Sequence, residues 1–390
     1  MLPRRLECSR CGLGHDAGTL QGSCESCAAP LFARYDLDAA ARTLRRGDLA
    51  GRRRDLWRYA EVLPIAAERE IVGLGEGMTP CLPAGRLGAW AGAPGLLVKD
   101  EGANPTGSFK ARGMAVAVTA AKRLGARALF VPSAGNAGVA LAAYAARAGL
   151  PALVALPLDA PAAMTSDCRA CGAEILAVEG TIREAAAAGR ARAGAIGAFD
   201  LSTLREPYRV EGKKTMAYEL AEQLERLPDW IVYPCGGGTG VVGMWKAFEE
   251  MEALGWTDGR RPKLLVVQSE RCAPVVRAFE EGKEETEPFP EPETCASGLR
   301  VPAPPAGFLL LRALRESGGA ALAVSEAEIL EGIRAFARLE GIVPSPEGAA
   351  ALAGLRRATR AGLVREGEAA VLFQTGSGAK YGEVIARALP

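Results

Sequence analysis

Histidine is nearly absent: the 390-residue chain holds one, His15. A Ser-His-Asp triad, a Cys-His pair or a two-histidine metal centre would have to use His15 or does not exist. Proton transfer therefore falls to lysine, acids, tyrosine, cysteine or a cofactor. Net charge is almost absent too, at +1. Bulk electrostatics thus suggests neither a nucleic-acid nor a membrane partner. No apolar run is long enough to span a bilayer. The stretch Met1 to Cys8 lacks the apolar core of a signal peptide, so a cytoplasmic protein is expected. With 49% hydrophobic residues, the chain has enough apolar mass for two domains and a small module.

Cysteine is present and unevenly placed. Cys8-x-x-Cys11 is followed, after twelve residues, by Cys24-x-x-Cys27. Two such pairs suit four tetrahedral thiolates on facing knuckles of a small hairpin. A structural Zn2+ ribbon over residues 1–30 is expected, with two disulfides or a metal-free module as the alternatives in a reducing compartment. Four thiolates fill the coordination shell, so such a zinc would have no open catalytic position and His15 would be a hairpin residue. Few basic residues lie between the pairs, which argues against nucleic acid. Cys168-x-x-Cys171 has no second pair and reads as core or surface.

Residues 31–70 have helical spacing and read as a helical connector. From residue 96 onward apolar strands alternate with helices. Strands are expected at Leu96–Glu101, Ala128–Pro132, Pro151–Pro157, Glu174–Val178, Trp230–Pro234, Leu264–Gln268 and Ala369–Gln374. Helices are expected from Lys110 to Leu124, to Arg147, over 161–171 and 181–193, and from Lys213 to Leu227. Others should run to Ala253 and over Ser325–Leu339 and Ala349–Arg360. The Ser325-x-x-Glu328 capping box should open the first of these last two. The pattern predicts an α/β fold with parallel sheets buried on both faces. A proline-rich stretch, 281–306, reads as an irregular crossing.

Asn104-Pro105-Thr106-Gly107-Ser108-Phe109-Lys110 is a turn leading into helix formers, which places Lys110 in a first helical turn. The positive end of the helix dipole disfavours an ammonium there, and a desolvated lysine that sheds its proton can do imine chemistry. A surface lysine after a turn is the alternative. Three further loops, 133–138, 235–240 and 375–378, each follow a strand and point backbone N–H groups past its end. Gly236-Gly237-Gly238-Thr239-Gly240 is the strongest anion cradle. It lacks the Lys-Ser/Thr ending of a nucleotide P-loop, so a small phosphate monoester fits it better. An imine-forming lysine together with such a cradle points to pyridoxal 5'-phosphate.

These pieces occur together in Gly75-Glu76-Gly77-Met78-Thr79-Pro80, Lys99-Asp100-Glu101, 104–113, Ser133-Ala134-Gly135-Asn136, Pro207-Tyr208-Arg209-Val210-Glu211-Gly212, 235–240 and Thr375-Gly376-Ser377-Gly378. In this order they resemble the fold-type II, tryptophan-synthase-β-like pyridoxal-phosphate enzymes, and within them the threonine synthase family. The resemblance implies a large cofactor-binding domain from 70–109 and 206–390, with a small α/β domain, 110–205, inserted. It implies a homodimer and a small amino-acid substrate. It also implies that Lys110 carries the cofactor and moves protons. Asn136 would meet the ring hydroxyl, Gly236, Gly237, Gly238, Thr239 and Gly240 the phosphate, and Thr375 the ring nitrogen. Substrate would meet Thr79, Ser133, Ala134, Gly135, Ala137 and Arg209. By location alone, Lys213, Lys214 and Arg112 are further candidates for a substrate phosphate, with a solvated helix face the favoured alternative for the two lysines. Glu347 lines up with a ring-side glutamate, and a plain helix N-terminal acid is the alternative reading.

The implied reaction converts O-phospho-L-homoserine and water to L-threonine and phosphate. Departures from the family pattern fall on loops that would meet substrate: Ala134 and Ala137 replace hydroxyl residues, and Ser377 replaces a frequent histidine. The alternative is therefore a pyridoxal-phosphate β-elimination or β-replacement of the serine/threonine dehydratase or cysteate synthase type. A zinc-ribbon binding module on an inactive enzyme body is the reading from a different class.

Overall fold

The computed structural model describes residues 1–389. Its strands, in chain order, are β1 (Arg5–Cys8), β2 (Gly14–His15), β3 (Leu31–Arg34), β4 (Cys81–Pro83), β5 (Leu97–Asp100), β6 (Leu129–Pro132), β7 (Ala152–Pro157), β8 (Glu174–Val178), β9 (Phe199–Asp200), β10 (Trp230–Pro234), β11 (Lys263–Ser269), β12 (Ala320–Val324) and β13 (Ala370–Gln374). They make three sheets. The first is the antiparallel ribbon β2-β1-β3. The second is a six-stranded sheet, β12-β11-β10-β13-β5-β4, parallel except for the short edge strand β4. The third is the parallel sheet β8-β7-β6-β9.

Central strands carry continuous apolar runs because helices cover both faces. Trp230–Pro234, Ala370–Gln374 and Ala152–Pro157 are buried throughout. In a parallel sheet every strand needs a crossover, and the loops that begin these crossovers gather at one edge, past the C-terminal ends of the strands. That geometry brings the loops after β5, β10 and β13 side by side.

Several boundaries differ from expectation for identifiable reasons. Residues 31–34 are the third ribbon strand rather than connector, and the rest of 31–70 holds one seven-residue helix and three 3-10 segments. The helix expected from Lys213 begins at Tyr208, because the buried Glu206 carboxylate accepts the N–H groups of Tyr208 and Arg209. It ends at Gln223, ahead of Pro228. The capping box at Ser325 forms in both directions, Ser325 Oγ with Glu328 N and Glu328 carboxylate with Ser325 N.

Among the described residues no helix is long and apolar enough to cross a membrane.

Candidate active site

Lys110 opens the helix Lys110–Arg123, the first turn after the loop that leaves β5. Asn104 shapes that loop: its side-chain amide donates to Glu101 O (2.9 Å) and its backbone carbonyl accepts from Gly107 N (2.7 Å). The loop after β13 then ties the lysine in place. Phe109 N donates to Thr375 O (3.0 Å), Ser377 N donates to Gly107 O (2.8 Å), and Ser108 pairs with Gly376 as an isolated bridge. Backbone groups that two loops and a helix start would otherwise leave unpaired are thereby satisfied.

The lysine sits on a buried ionic platform. Arg112, within the same turn, donates from Nε to Glu101 Oε2 (2.6 Å) and from its NH1 to Glu219 Oε1 (2.5 Å). Lys99 Nζ donates to Glu219 Oε2 (2.8 Å). All four side chains are fully buried. Removing one partner of such a cluster costs roughly 3–5 kcal/mol, because a charge is then left unpaired in low dielectric. Thr79 belongs to this platform. Its hydroxyl donates to Glu101 (2.7 Å) and accepts from Arg112 (3.1 Å), and its carbonyl takes Lys99 (2.7 Å). The Thr79 hydroxyl, expected to meet substrate, is hydrogen-bonded to this buried ion pair. Arg112 and Lys214 are claimed in the same way, Lys214 by Glu211 and Glu250.

Among the described residues no carboxylate forms an ion pair with Lys110. Its Nζ lies 3.8 Å from the centroid of the Phe109 ring. Loss of solvation, and then the Arg209 guanidinium, push the amine down to about 7, against the opposing pull of Glu347 and Cys235. Arg209 is buried as well, and donates to Leu201 O (2.7 Å). Burial and a neighbouring guanidinium, itself held near Glu206 and Asp200, are what the environment supplies to the lysine.

The loop after β10 lies beside this position, with Cys235 fully buried and next to Lys110 electrostatically. Gly238 is the N-cap of the helix Thr239–Ala253, with φ +75, a conformation few side chains adopt. A methyl group at Gly236 would collide with the carbonyl of Gly298. The glycines therefore let this loop pack against Gly298, Thr203, Leu310 and Tyr233 at the N-terminus of a 15-residue helix, where first-turn N–H groups and the positive end of the dipole can receive an anion.

On another side, Asn136 opens the helix Asn136–Ala148, with Gly135 as its N-cap and Ser133 and Ala134 half-buried before it. Ser133 Oγ accepts from Gly135 N (3.2 Å). The Asn136 amide donates to Tyr381 Oη (3.1 Å), Tyr381 donates to Glu347 Oε1 (3.3 Å), and that oxygen also accepts from Gly298 N (2.7 Å). Gly298 is the residue under Gly236, so one chain of contacts runs from the Asn136 loop to the cradle. Asn136 also closes on the β13 loop, since a methyl at Gly376 would lie 3.5 Å from its Nδ2. Asn136 Oδ1 is buried with no hydrogen-bond partner. A buried acceptor left unpaired costs about 1–3 kcal/mol, and a ligand hydroxyl would remove that cost. The unpaired Asn136 oxygen, the depressed lysine and the glycine loop at a helix N-terminus suit, respectively, the ring, aldehyde and phosphate of pyridoxal phosphate.

Tyr381, Gly298, Cys235 and Phe109 were not singled out from sequence as site residues. Only the resemblance that picked out Glu347 hinted at this wall. Gly298 comes from the proline-rich crossing, which gave no signal of approaching the cradle. Glu347 lies in the first turn of the helix Pro346–Arg360, and its carboxylate accepts from Tyr381.

The four ribbon cysteines form a separate cluster. Their sulfur atoms all lie within 4.8 Å of one another, and none is in a disulfide. Cys8 Sγ accepts from the N–H groups of Arg10 and Cys11, both at 3.4 Å, in a knuckle turn. His15 is outside the cluster.

Comparison with known proteins agrees with this geometry. Residues 72–376 match the family described as pyridoxal-phosphate dependent enzyme. The chain is 37% identical over 373 residues to the threonine synthase of Methanosarcina acetivorans, covering 95% of this chain and 91% of that one. It is 36% identical over 384 residues to the threonine synthase of Methanocaldococcus jannaschii, covering 98% and 94%. Among solved structures, a threonine deaminase from T.th. superposes with a TM-score of 0.65 at 28% identity, over 77% of this chain and 92% of that one. Maize serine racemase, at 21% identity and a TM-score of 0.67 over 79% and 91%, shares the fold. By the family match and by relatives that span nearly its whole length, the chain belongs to the pyridoxal-phosphate dependent enzymes and, within them, to the threonine synthase family.

Proposed function

We propose that the protein is a threonine synthase, converting O-phospho-L-homoserine and water to L-threonine and phosphate. The observation that carries this reading is the depressed Lys110 amine set between the Gly236–Gly240 cradle and the unpaired Asn136 oxygen. The threonine synthase relatives support the choice of substrate.

When bound, pyridoxal phosphate supplies a covalent anchor for amino groups and an electron sink for the carbon beside them. The chain's own residues do the rest. Lys110, with a neutral amine accessible near pH 7, attaches the cofactor and afterwards takes and returns protons at the substrate carbons. The N–H groups of Gly236, Gly237, Gly238, Thr239 and Gly240 hold the cofactor phosphate. Asn136 accepts the ring hydroxyl, and Thr375 at the end of β13 gives a neutral hydroxyl to the ring nitrogen. The half-buried Ser133–Gly135 turn with Ala137 offers backbone donors to the substrate carboxylate, and Arg209 faces its phosphate. The four cysteines hold a structural Zn2+. Thiolate sulfurs tetrahedral about zinc at about 2.3 Å lie roughly 3.8 Å apart, and the 3.4 Å Cys8–Cys27 and 3.7 Å Cys11–Cys24 separations suit that size. The same reading makes the protein a cytoplasmic homodimer.

Product analysis of the cofactor-loaded enzyme tests the assignment. O-phospho-L-homoserine should yield threonine and inorganic phosphate in equal amounts. A 2-oxo acid formed from serine or threonine, with no phosphate released from phosphohomoserine, would transfer the enzyme to the dehydratase alternative.

A further inference from the structure

Two buried ionic clusters pair four cations with four carboxylates, and the buried Lys213 beside them belongs to neither. Glu101 and Glu219 take Arg112, Glu219 takes Lys99, and Glu211 with Glu250 takes Lys214 and Lys246. Lys213 is fully buried, yet among the described residues no carboxylate pairs with it. Its Nζ donates to the carbonyl of Phe109 and lies 4.0 Å from the Phe109 ring centroid, the ring that Lys110 Nζ also approaches.

The side chain reaches that point through a slot made by small residues. A methyl on Gly243 would lie 2.9 Å from Lys213 Cβ, and one on Gly113 would lie 2.9 Å from its Cε. Gly243 is one turn past the glycine cradle and Gly113 one turn past Lys110. The amine thus ends at the start of the Lys110 helix, against the carbonyl and ring of Phe109, while its stem lies on the helix that follows the glycine loop. The charged groups around it are Lys110, Arg209 and Arg112, together with Glu101, which is already committed to Arg112. Burial first, then Lys110 and Arg209, push the Lys213 amine well below the ordinary lysine range. Charging this amine with no anion beside it carries a desolvation cost that an aliphatic side chain would avoid. The missing half of the pair is an anion.

We propose that Lys213 is the cation that pairs with a phosphate monoester bound in this site. The proposal rests on the pyridoxal-phosphate reading above. Two phosphates meet the description, that of the cofactor and that of the substrate.

Apoenzyme of the wild type, Lys213→Met and Lys213→Arg is titrated with pyridoxal 5'-phosphate and with pyridoxal, followed by protein fluorescence. If the cofactor phosphate is the partner, Lys213→Met loses roughly 30-fold or more in affinity for pyridoxal 5'-phosphate. Pyridoxal affinity then stays within about threefold, and Lys213→Arg recovers most of the loss. If the substrate phosphate is the partner, cofactor affinities hold. Binding of O-phospho-L-homoserine to holoenzyme, read as a spectral change, then weakens by a similar factor while binding of L-homoserine does not. Equal losses for the phosphorylated and unphosphorylated member of each pair, or no loss for either, overturn the proposal. Should Lys213→Met fail to fold, Lys213→Gln enters the same titrations. A wild type that binds neither cofactor form rejects the pyridoxal-phosphate reading itself, a result distinct from failure of the Lys213 pairing.

Discussion

Lys110 shows how far one residue can be read in advance. Its position at a helix start is legible from the Asn-Pro and Thr-Gly turn and the helix formers that follow. The reason its proton is loosely held is less so. The helix dipole is the cause visible locally, whereas burial and Arg209 are the main ones in the folded chain. Arg209, Glu347 and Cys235 are remote in sequence and meet only through tertiary structure. The surroundings of Thr79 were hidden for the same reason, because nothing local says that Glu101 and Arg112 will pair beside it. The pH dependence follows from the direction of the shift. A lysine amine lowered to about 7 gains its neutral, nucleophilic form as pH rises through 7, not through the ordinary 10.4 or so. The rate at which apoenzyme captures pyridoxal phosphate covalently should climb about tenfold from pH 6 to 8 and then level off. Stopped-flow absorbance measures it, and a rate still climbing steeply at pH 10 would show an unperturbed lysine.

At the scale of elements, the strand–loop–helix units were legible because buried parallel strands are continuous apolar runs closed by glycine loops. Strand β12 and the helices Pro274–Glu280 and Gly307–Glu316 were not. The segment Ala320–Val324 is alanine-rich and has weak strand propensity, so its identity comes from pairing with β11. Gly298, inside the irregular crossing, gains its meaning only by packing under Gly236. Gly236→Ala should push Gly298 away and drag its N–H off Glu347, disturbing the cradle and the Asn136 wall together. Cofactor affinity should fall at least about tenfold, or ~1.4 kcal/mol, measured by fluorescence titration. Unchanged affinity would show that the cradle tolerates a side chain there.

For the molecule as a whole, the α/β class with parallel sheets and a cysteine ribbon was readable from pattern and spacing. The contact between ribbon and body was not. It runs through Arg10, which lies 4.2 Å from the Phe308 ring centroid and pairs with Glu285, and through Tyr35, whose ring lies 4.4 Å from Lys214 Nζ. These residues are not among those that surround Lys110, and the ribbon is expected to act on stability rather than on chemistry. Metal analysis should find one zinc per chain. A chelator should lower the melting temperature by several degrees while the kcat of protein still folded stays within about twofold; loss of kcat without loss of stability would place the metal in the reaction. The central claim, that Lys110 alone among the lysines holds the cofactor, is met most directly by borohydride reduction of holoenzyme followed by peptide mass mapping. The phosphopyridoxyl label should fall on Lys110; a label on its neighbour Lys213, or on no lysine at all, would contradict the account.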